Sequence, residues 1–489
     1  MSTCNDCWHK REGLALLTDF YELTMMAGHL KDGRMEQQVS FDYFFRSLPP
    51  HTGFAVAAGL DSFLRYLEHL RFTESDLVYL KSLNVFDDTF LDYLAKFKSR
   101  CSVRAVPEGT FVFPGEPVIQ VEGPILDAQL IETALLNMVN HQTLIATKAA
   151  RVCLAAEDDP VLEFGLRRAH GPDGGLSASR ACYIGGCTST SNVLAGKVYH
   201  MPVAGTHAHS WVMSFSTELE AFRAFARIYP ERCVLLVDTY DPVKSGIPNA
   251  IQVFCEMRDR GIDIRPAVRL DSGDLAKLSK ICHSMMSDAG FEDPLIVASN
   301  DLNEDLIADL KRQGACINAW GVGTHLITAY DAPALSGVYK LVAIETEKGW
   351  QPRMKVSSNL EKATDPGRKQ LVRYYDAAGQ PLGDVLYLEE EQWPESGVIP
   401  GRSRKNPHAV RRLKNAASAQ LLLEPVFEKG KRVQSPKTLE SIRKTMLEQR
   451  DCFPEEYKRL RNPEIFRVLL STQLGEMKDA MLMNPESAQ

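Results

Sequence analysis

From Val161 to about Glu345 the chain alternates short β-branched apolar runs with amphipathic stretches, at intervals of roughly 30 residues, the length of a βαβ unit. The runs are "VLEFG", "MPVAGT", "CVLLVDTY", "IRPAVRLDS", "LIVASN" and "INAWGVGT", with "VYKLVAIET" following. Between them lie helix-like segments: "TELEAFRAFARIYP", "IPNAIQVFCEMRDRG", "DLAKLSKICHSMMSDAG" and "NEDLIADLKRQGA". In the last of these Leu302, Leu306 and Leu310 recur every four residues and predict one apolar face. The pattern predicts a parallel α/β barrel, irregular and incomplete because it supplies six or seven strands rather than eight. A flat doubly wound sheet is the rival.

The flanks carry a different rhythm. "VRAVPEGTFVFPGEPVIQVEGP" (Val103–Pro124) alternates apolar and polar positions about Pro114 and Gly115 and predicts a β-hairpin in an antiparallel domain. "LIETALLNMVNHQTLIATKAARVCLAA" predicts a helix leading into the barrel, and the stretch from Ser441 to Leu482 also reads as helical. The expected organisation is an N-terminal α+β domain over 1–150, a barrel over 151–345, and a C-terminal region over 346–489. That last region opens with a basic loop and continues into helices that pack on the N-terminal domain.

Composition narrows the classes. At 489 residues, with 44% hydrophobic and 24% charged residues, the chain is an ordinary globular sequence of two or three domains. A formal charge of −7 argues against a nucleic-acid binder but leaves room for a local phosphate pocket. The N-terminal segment carries Asp6, Glu12, Asp19 and Glu22 among its apolar residues, unlike a signal peptide, and no run has the ~18 apolar residues of a membrane span. Eleven scattered cysteines fit reduced thiols and a cytoplasmic location. Cys4 and Cys7 have metal-like spacing without a second pair nearby.

The candidate chemistry collects just past the strands, where parallel α/β barrels carry their sites. "FGLRR" offers Phe164 for stacking a flat ring and Arg167 for a carboxylate. "RLDSGD" sets Arg269 beside Asp271, a pair suited to a phosphorylated sugar or to orienting Mg²⁺. "ASNDLNE" contributes Ser299 and Asn300 as neutral donors. In "GVGTHL", Gly321, Gly323 and Thr324 let backbone N–H groups approach an anion. "GTHAHS" places His207 and His209 at i and i+2, on one side of the chain. They read as metal ligands, as core residues, or as a catalytic imidazole and its neighbour; no third ligand is evident.

Eight ordered motifs resemble nicotinate phosphoribosyltransferases: "LLTDFYELTMM", "FGLRRAHGPDGGLSASRACYIGGCTSTSN", "GTHAHSWVMSF", "LLVDTYD", "VRLDSGDL", "VASNDLNE", "GVGTHL" and "PRMKVSSNLEKATDPGRKQ". The resemblance runs from about Leu14 to Gln370 and implies a type II phosphoribosyltransferase. In that family nicotinate displaces diphosphate from 5-phosphoribosyl 1-diphosphate, with ATP hydrolysis coupled to transfer and Mg²⁺ present, giving nicotinate mononucleotide for NAD synthesis. It further implies that His209 is phosphorylated by ATP and that Tyr21 and Thr206 line the nicotinate pocket. Arg269 would lie between nicotinate and the ribose phosphate, and Thr324 would hold the 5-phosphate. The implied assembly is a homodimer in which Tyr21 reaches the ring from the neighbouring subunit. The sequence departs from the family at His207, where many members are apolar.

On this reading Asp271 stabilises positive charge that builds on the ribose. Mg²⁺ and a basic segment containing Lys340, Lys355, Arg368 and Lys369 offset the diphosphate charge. Ser191 separates this chain from nicotinamide phosphoribosyltransferases, which carry an aspartate near that position that would repel an acid. Quinolinate phosphoribosyltransferases are shorter and use no ATP. A biotinyl or lipoyl carrier is the non-enzyme alternative, but the hairpin tip "PGEP" lacks the lysine such carriers modify.

Overall fold

A computed structural model describes residues 14–355, 363–404 and 410–484. Cys4 and Cys7, and residues 356–362 of the basic segment, lie outside the described residues. The chain divides into two compact units, one formed by 1–144 with 334–489 and the other by 145–333.

The first unit is built from both ends of the chain around two sheets. Its seven-stranded antiparallel sheet runs in the order 349–352, 337–346, 38–45, 119–124, 102–105, 424–428, 431–432. The run "VYKLVAIET", expected to continue the barrel, therefore belongs here: Phe41 pairs with Leu341 and Tyr43 with Tyr339, antiparallel. Its burial pattern explains the misreading. Strand Gly337–Thr346 buries only Tyr339, Val342 and Ala343, as an antiparallel strand with a wet face does, yet its apolar composition matches a buried parallel strand. The expected hairpin is present in its arms, with Val103 opposite Val121. Its middle is not a simple turn, because Phe111–Val112 pairs instead with Ala55–Val56.

A second, six-stranded mixed sheet packs Val372, Tyr374, Val385, Ile399 and Leu413 into one core. Arg373, fully buried within it, forks onto Asp384 at 2.7 and 2.9 Å and lies over the rings of Phe113, Phe453 and Phe466. The C-terminal stretch is not wholly helical. Val468–Leu470 is a strand between the helices Leu439–Cys452 and Thr472–Met483.

The second unit holds the parallel sheet. Its strands are Val161–Glu163, Ser189–Thr190, Val234–Leu236, Ala267–Leu270, Leu295–Ala298 and Ala319–Val322. Across the sheet they lie in the order 189–190, 161–163, 319–322, 295–298, 267–270, 234–236, so the first pairs with the last, through Trp320 opposite Val161, and the second and third form its two edges. The expected strand "MPVAGT" reduces to a single parallel bridge, Val203 to Thr190, while Ser189–Thr190, absent from the expected strand runs, pairs as a strand. The helices stand where the periodicity puts them: Glu218–Ile228, Ile247–Asp259, Leu275–Asp288 and Glu304–Arg312. Thr217, Asp274 and Asn303 cap three of them through their side-chain oxygens. In the last helix Ile307 and Leu310 are buried and Leu306 is substantially exposed, so the inward face runs Leu302, Ile307, Leu310.

Candidate active site

The functional side chains of the second unit lie just past the carboxyl ends of its parallel strands, and Arg269 is where they meet. Its strand, Ala267–Leu270, is flanked in register by 234–236 on one side and 295–298 on the other. The guanidinium distributes its donors in three directions. Nε donates to Ser299 Oγ at 2.7 Å, one terminal nitrogen to Thr206 Oγ1 at 3.0 Å, and the other to Asp271 Oδ1 at 2.8 Å. Its face lies 5.7 Å from the Phe164 ring centre. A planar fork does this where a point charge could not.

Asp271 is held from every side. The Ser299 hydroxyl donates to its Oδ1, and Oδ2 stands 3.6 Å from His209 Nε2. Burial works most strongly against its charge. Ser299, Arg269 and His209 together prevail and hold the carboxyl below the usual carboxylate range. Its backbone N–H donates to Asp238 Oδ2 at 2.8 Å, and the Ser272 hydroxyl donates to the same oxygen at 2.6 Å. Asp238 is buried, and its other oxygen, Oδ1, has no hydrogen-bond partner among the described residues. Neither Asp238 nor Thr239, whose hydroxyl lies 3.2 Å from His209 Nδ1, was marked by the sequence reading. The signal was available in "LLVDTYD", an acid directly after an apolar strand.

His207 and His209 have different environments. His207 is buried, and its Nε2 accepts the Leu236 backbone N–H at 3.2 Å, which assigns its proton to Nδ1, 3.4 Å from the Ala208 carbonyl. Its ring packs edge-on to Phe225 at 4.8 Å. It thereby joins the "GTHAHS" segment to strand Val234–Leu236. His209 is part-exposed between Thr239 and Asp271. No group of three metal-ligating side chains occurs among the described residues.

Burial, with Arg269 and His209 adding to it, pushes the His207 pKa down to about 4. Below about pH 6.5 the unfolded chain takes up a proton that the folded chain refuses, so this contribution is complete above that pH and is lost on acidification toward pH 4. His207→Gln keeps an acceptor near Nε2 without titrating. Between pH 7 and 4.5 it is expected to lose about 2–3 kcal/mol less stability than the native chain. Urea unfolding across that range checks this, and parallel curves for the two proteins would sink it.

Other predicted residues are placed as follows. Gly321 lies inside its strand, where a Cβ would come within 2.8 Å of the Phe164 ring, so its missing side chain makes room for that aromatic. Gly323 and Thr324 begin the short helix Thr324–Ile327. Ser191 follows Thr190, its N–H bonded to the Glu163 carbonyl at 2.9 Å. Asn300 is exposed with φ +84°. Arg167 is exposed and makes no ion pair among the described residues. The contacts thus join His209, Asp271, Arg269, Thr206, Ser299 and Phe164 in one cluster. They do not connect Arg167, Ser191, Asn300 or Thr324 to it.

Tyr21 belongs to the first unit, on helix Phe20–Lys31, and is about half-exposed. Partial burial, with Glu132 and Glu22 nearby, raises its phenol above the usual range. The basic segment is not a free cluster. Lys369 is buried against Asp42 at 2.9 Å, Arg368 pairs with Glu122 at 2.8 Å, and Lys340 lies 3.7 Å from Glu132. Of the four cations read as diphosphate partners, three are committed to carboxylates of their own unit.

Residues 16–140 match the nicotinate phosphoribosyltransferase N-terminal domain and residues 368–478 the C-terminal domain of that family, both within the first unit. The chain is 45% identical to nicotinate phosphoribosyltransferase of Bacillus subtilis over 464 residues, 94% of each chain, which takes in the second unit as well. Its fold is similar to the crystal structure of human nicotinic acid phosphoribosyltransferase, with a TM-score of 0.82 and 34% identity over 95% of this chain and 99% of that one. The nicotinate-nucleotide pyrophosphorylase of Pyrococcus furiosus, at 24% identity and a TM-score of 0.70 over 90% and 97%, shares the fold.

Proposed function

The chain belongs to the nicotinate phosphoribosyltransferase family, and from that premise we propose that it transfers 5-phosphoribosyl from 5-phosphoribosyl 1-diphosphate to nicotinate in NAD biosynthesis. The observation that carries the site assignment is the placing of Arg269. A permanent cation lies against an aromatic face and a carboxylate at the carboxyl ends of strands of one parallel sheet. That arrangement suits a substrate pair made of a flat acid and a phosphorylated sugar. The parallel sheet, with its first strand beside its last, is read as an incomplete barrel whose gap His207 spans.

Roles follow from chemistry. Phe164 and Tyr21 offer the stacking faces for the pyridine ring. Arg167, unpaired within the described residues, takes the nicotinate carboxylate, with Thr206 and Ser191 beside it. Asp271 faces the anomeric carbon, where positive charge grows as the C–O bond to diphosphate breaks. Ser299, Asn300, Gly323 and Thr324 receive the 5-phosphate, while Gly321 contributes by admitting Phe164. The inner cluster holds two carboxylates, Asp238 and Asp271, for one arginine, so it does not neutralise a diphosphate. Mg²⁺ carried by the diphosphate supplies that charge, and the unpartnered Oδ1 of Asp238 is a hard oxygen fit to face it. His209, beside Asp271, is the residue that ATP phosphorylates. A homodimer bringing Tyr21 to the partner's site completes the proposal.

The test is an assay of the purified protein with the phosphoribosyl donor and nicotinate, nicotinamide or quinolinate, each with and without ATP. Turnover of nicotinate alone, stimulated by ATP, is expected; equal turnover of nicotinamide would overturn the specificity. Arg167→Ala is expected to raise the nicotinate KM by about 10- to 100-fold, the ~1.5–3 kcal/mol of a charge-assisted hydrogen bond, and to leave the donor KM alone. Ser191→Asp should shift preference toward the amide. An unchanged nicotinate KM in Arg167→Ala would move the carboxylate contact to Arg269.

A further inference from the structure

A buried lysine outside the cluster touches the connections that follow the last two parallel strands. Lys148, on helix Glu132–Ala156, is 5% exposed. Its Nζ lies 2.6 Å from Glu304 Oε2 and pairs also with the Asp331 carboxylate. Glu304, 1% exposed, is the first residue of the helix that follows Ser299 and Asn300. Its Oε1 accepts from Arg151 Nε at 3.0 Å. Asp331, much more exposed, follows the short helix Thr324–Ile327. Both connections contain non-glycine residues in left-handed backbone: Asn300 at φ +84°, Asp301 at +40° and Ala329 at +43°. Such conformations persist where the surroundings fix them.

We propose that Lys148 is a positioning residue for the donor's phosphate. Through Glu304 and Asp331, it holds the connection after strand 295–298 and the connection after strand 319–322 at a fixed separation. It does so without touching substrate. The proposal rests on the reading above that these two connections receive the 5-phosphate. Loss of the ammonium leaves two carboxylates facing each other, one of them fully buried. Their repulsion moves the two connections apart, and a bound phosphate then loses its converging donors. Arg151 still pairs Glu304 in that variant, so the helix start retains a cation.

Lys148→Met, of similar length and without charge, is expected to raise the KM for 5-phosphoribosyl 1-diphosphate, and the Kd for ribose 5-phosphate, about tenfold or more. The nicotinate KM should stay within about twofold, and Lys148→Arg should recover part of the loss. A general loss of stability would not divide the two substrates in this way. Asp331→Asn, at the exposed end of the pair, should shift the donor KM in the same direction by about three- to fivefold, and it carries the test if Lys148→Met does not fold. Thr324→Val separates the two levels of the reading. If it raises the donor KM while folded Lys148 and Asp331 variants do not, the brace is wrong and the phosphate subsite stands. If none of the three moves it, the subsite and the brace fall together. Equal rises in both substrates' KM would also overturn the positioning role.

Discussion

Arg269→Ala is expected to lower kcat/KM by about 10²–10⁴-fold, and Arg269→Lys to recover little of it. The size follows from what the side chain leaves behind. Its removal strands Asp271, half-buried and charged, and frees Ser299 and Thr206 from their donor. Breaking a buried pair by deleting one partner costs about 3–5 kcal/mol, and here the strain falls on groups that, in the proposed roles, contact both substrates. Lysine restores the charge but not the geometry. One ammonium cannot meet a hydroxyl on each side and a carboxylate ahead while presenting a flat face to Phe164. Steady-state kinetics on both variants, with circular dichroism to confirm folding, decides the matter. A lysine variant within about threefold of the native enzyme would show that Arg269 acts as a charge alone, not as the hub of the cluster.

The sequence made much of this cluster legible because strand ends are easy to find when strands are short, β-branched and regularly spaced. Phe164, Arg269, Asp271 and Ser299 each follow an apolar run directly, and they meet in space. What it hid depended on partners far along the chain. Gly321 reads as a phosphate-loop glycine, yet its neighbour in space is Phe164, 157 residues earlier, whose ring occupies the room a side chain would need. Lys369 looks like a free cation in a basic stretch until Asp42 is seen beside it, buried with it. Asp238 was legible only as one acid among several. Its part in anchoring the Asp271 backbone needs strands 234–236 and 267–270 to be neighbours. Strand 337–346 was misassigned for a related reason. Composition says that a strand is there, but only its pairing says to which sheet it belongs.

In the His209→Ala variant, ATP is expected to leave turnover where it stands without ATP, and no acid-labile phosphate should appear on the protein. An unprotonated ring nitrogen of His209 would attack the γ-phosphorus of ATP, forming an N–P bond as the P–O bond to ADP breaks. The two nitrogens lie 3.6 Å from an Asp271 oxygen and 3.2 Å from the Thr239 hydroxyl, so the new group would arrive beside the cluster on either one. It brings roughly 1.5–2 negative charges at neutral pH. At ~4 Å and an effective dielectric of ~20, each charge pair with Asp271 costs about 4 kcal/mol, more than a single hydrogen bond returns. Phosphorylation would therefore draw Arg269, or a bound Mg²⁺, toward the new dianion, or drive Asp271 away. With the proposed roles, either change would alter the grip on the donor, a physical route from ATP to turnover. His207→Gln supplies the control: its ring faces Leu236 rather than the cluster, so phosphorylation should persist there. Radiolabelled ATP, followed by acid and alkaline treatment of each protein, makes the measurement. Acid-labile label retained in His209→Ala and lost in His207→Gln would reverse the assignment of the two histidines.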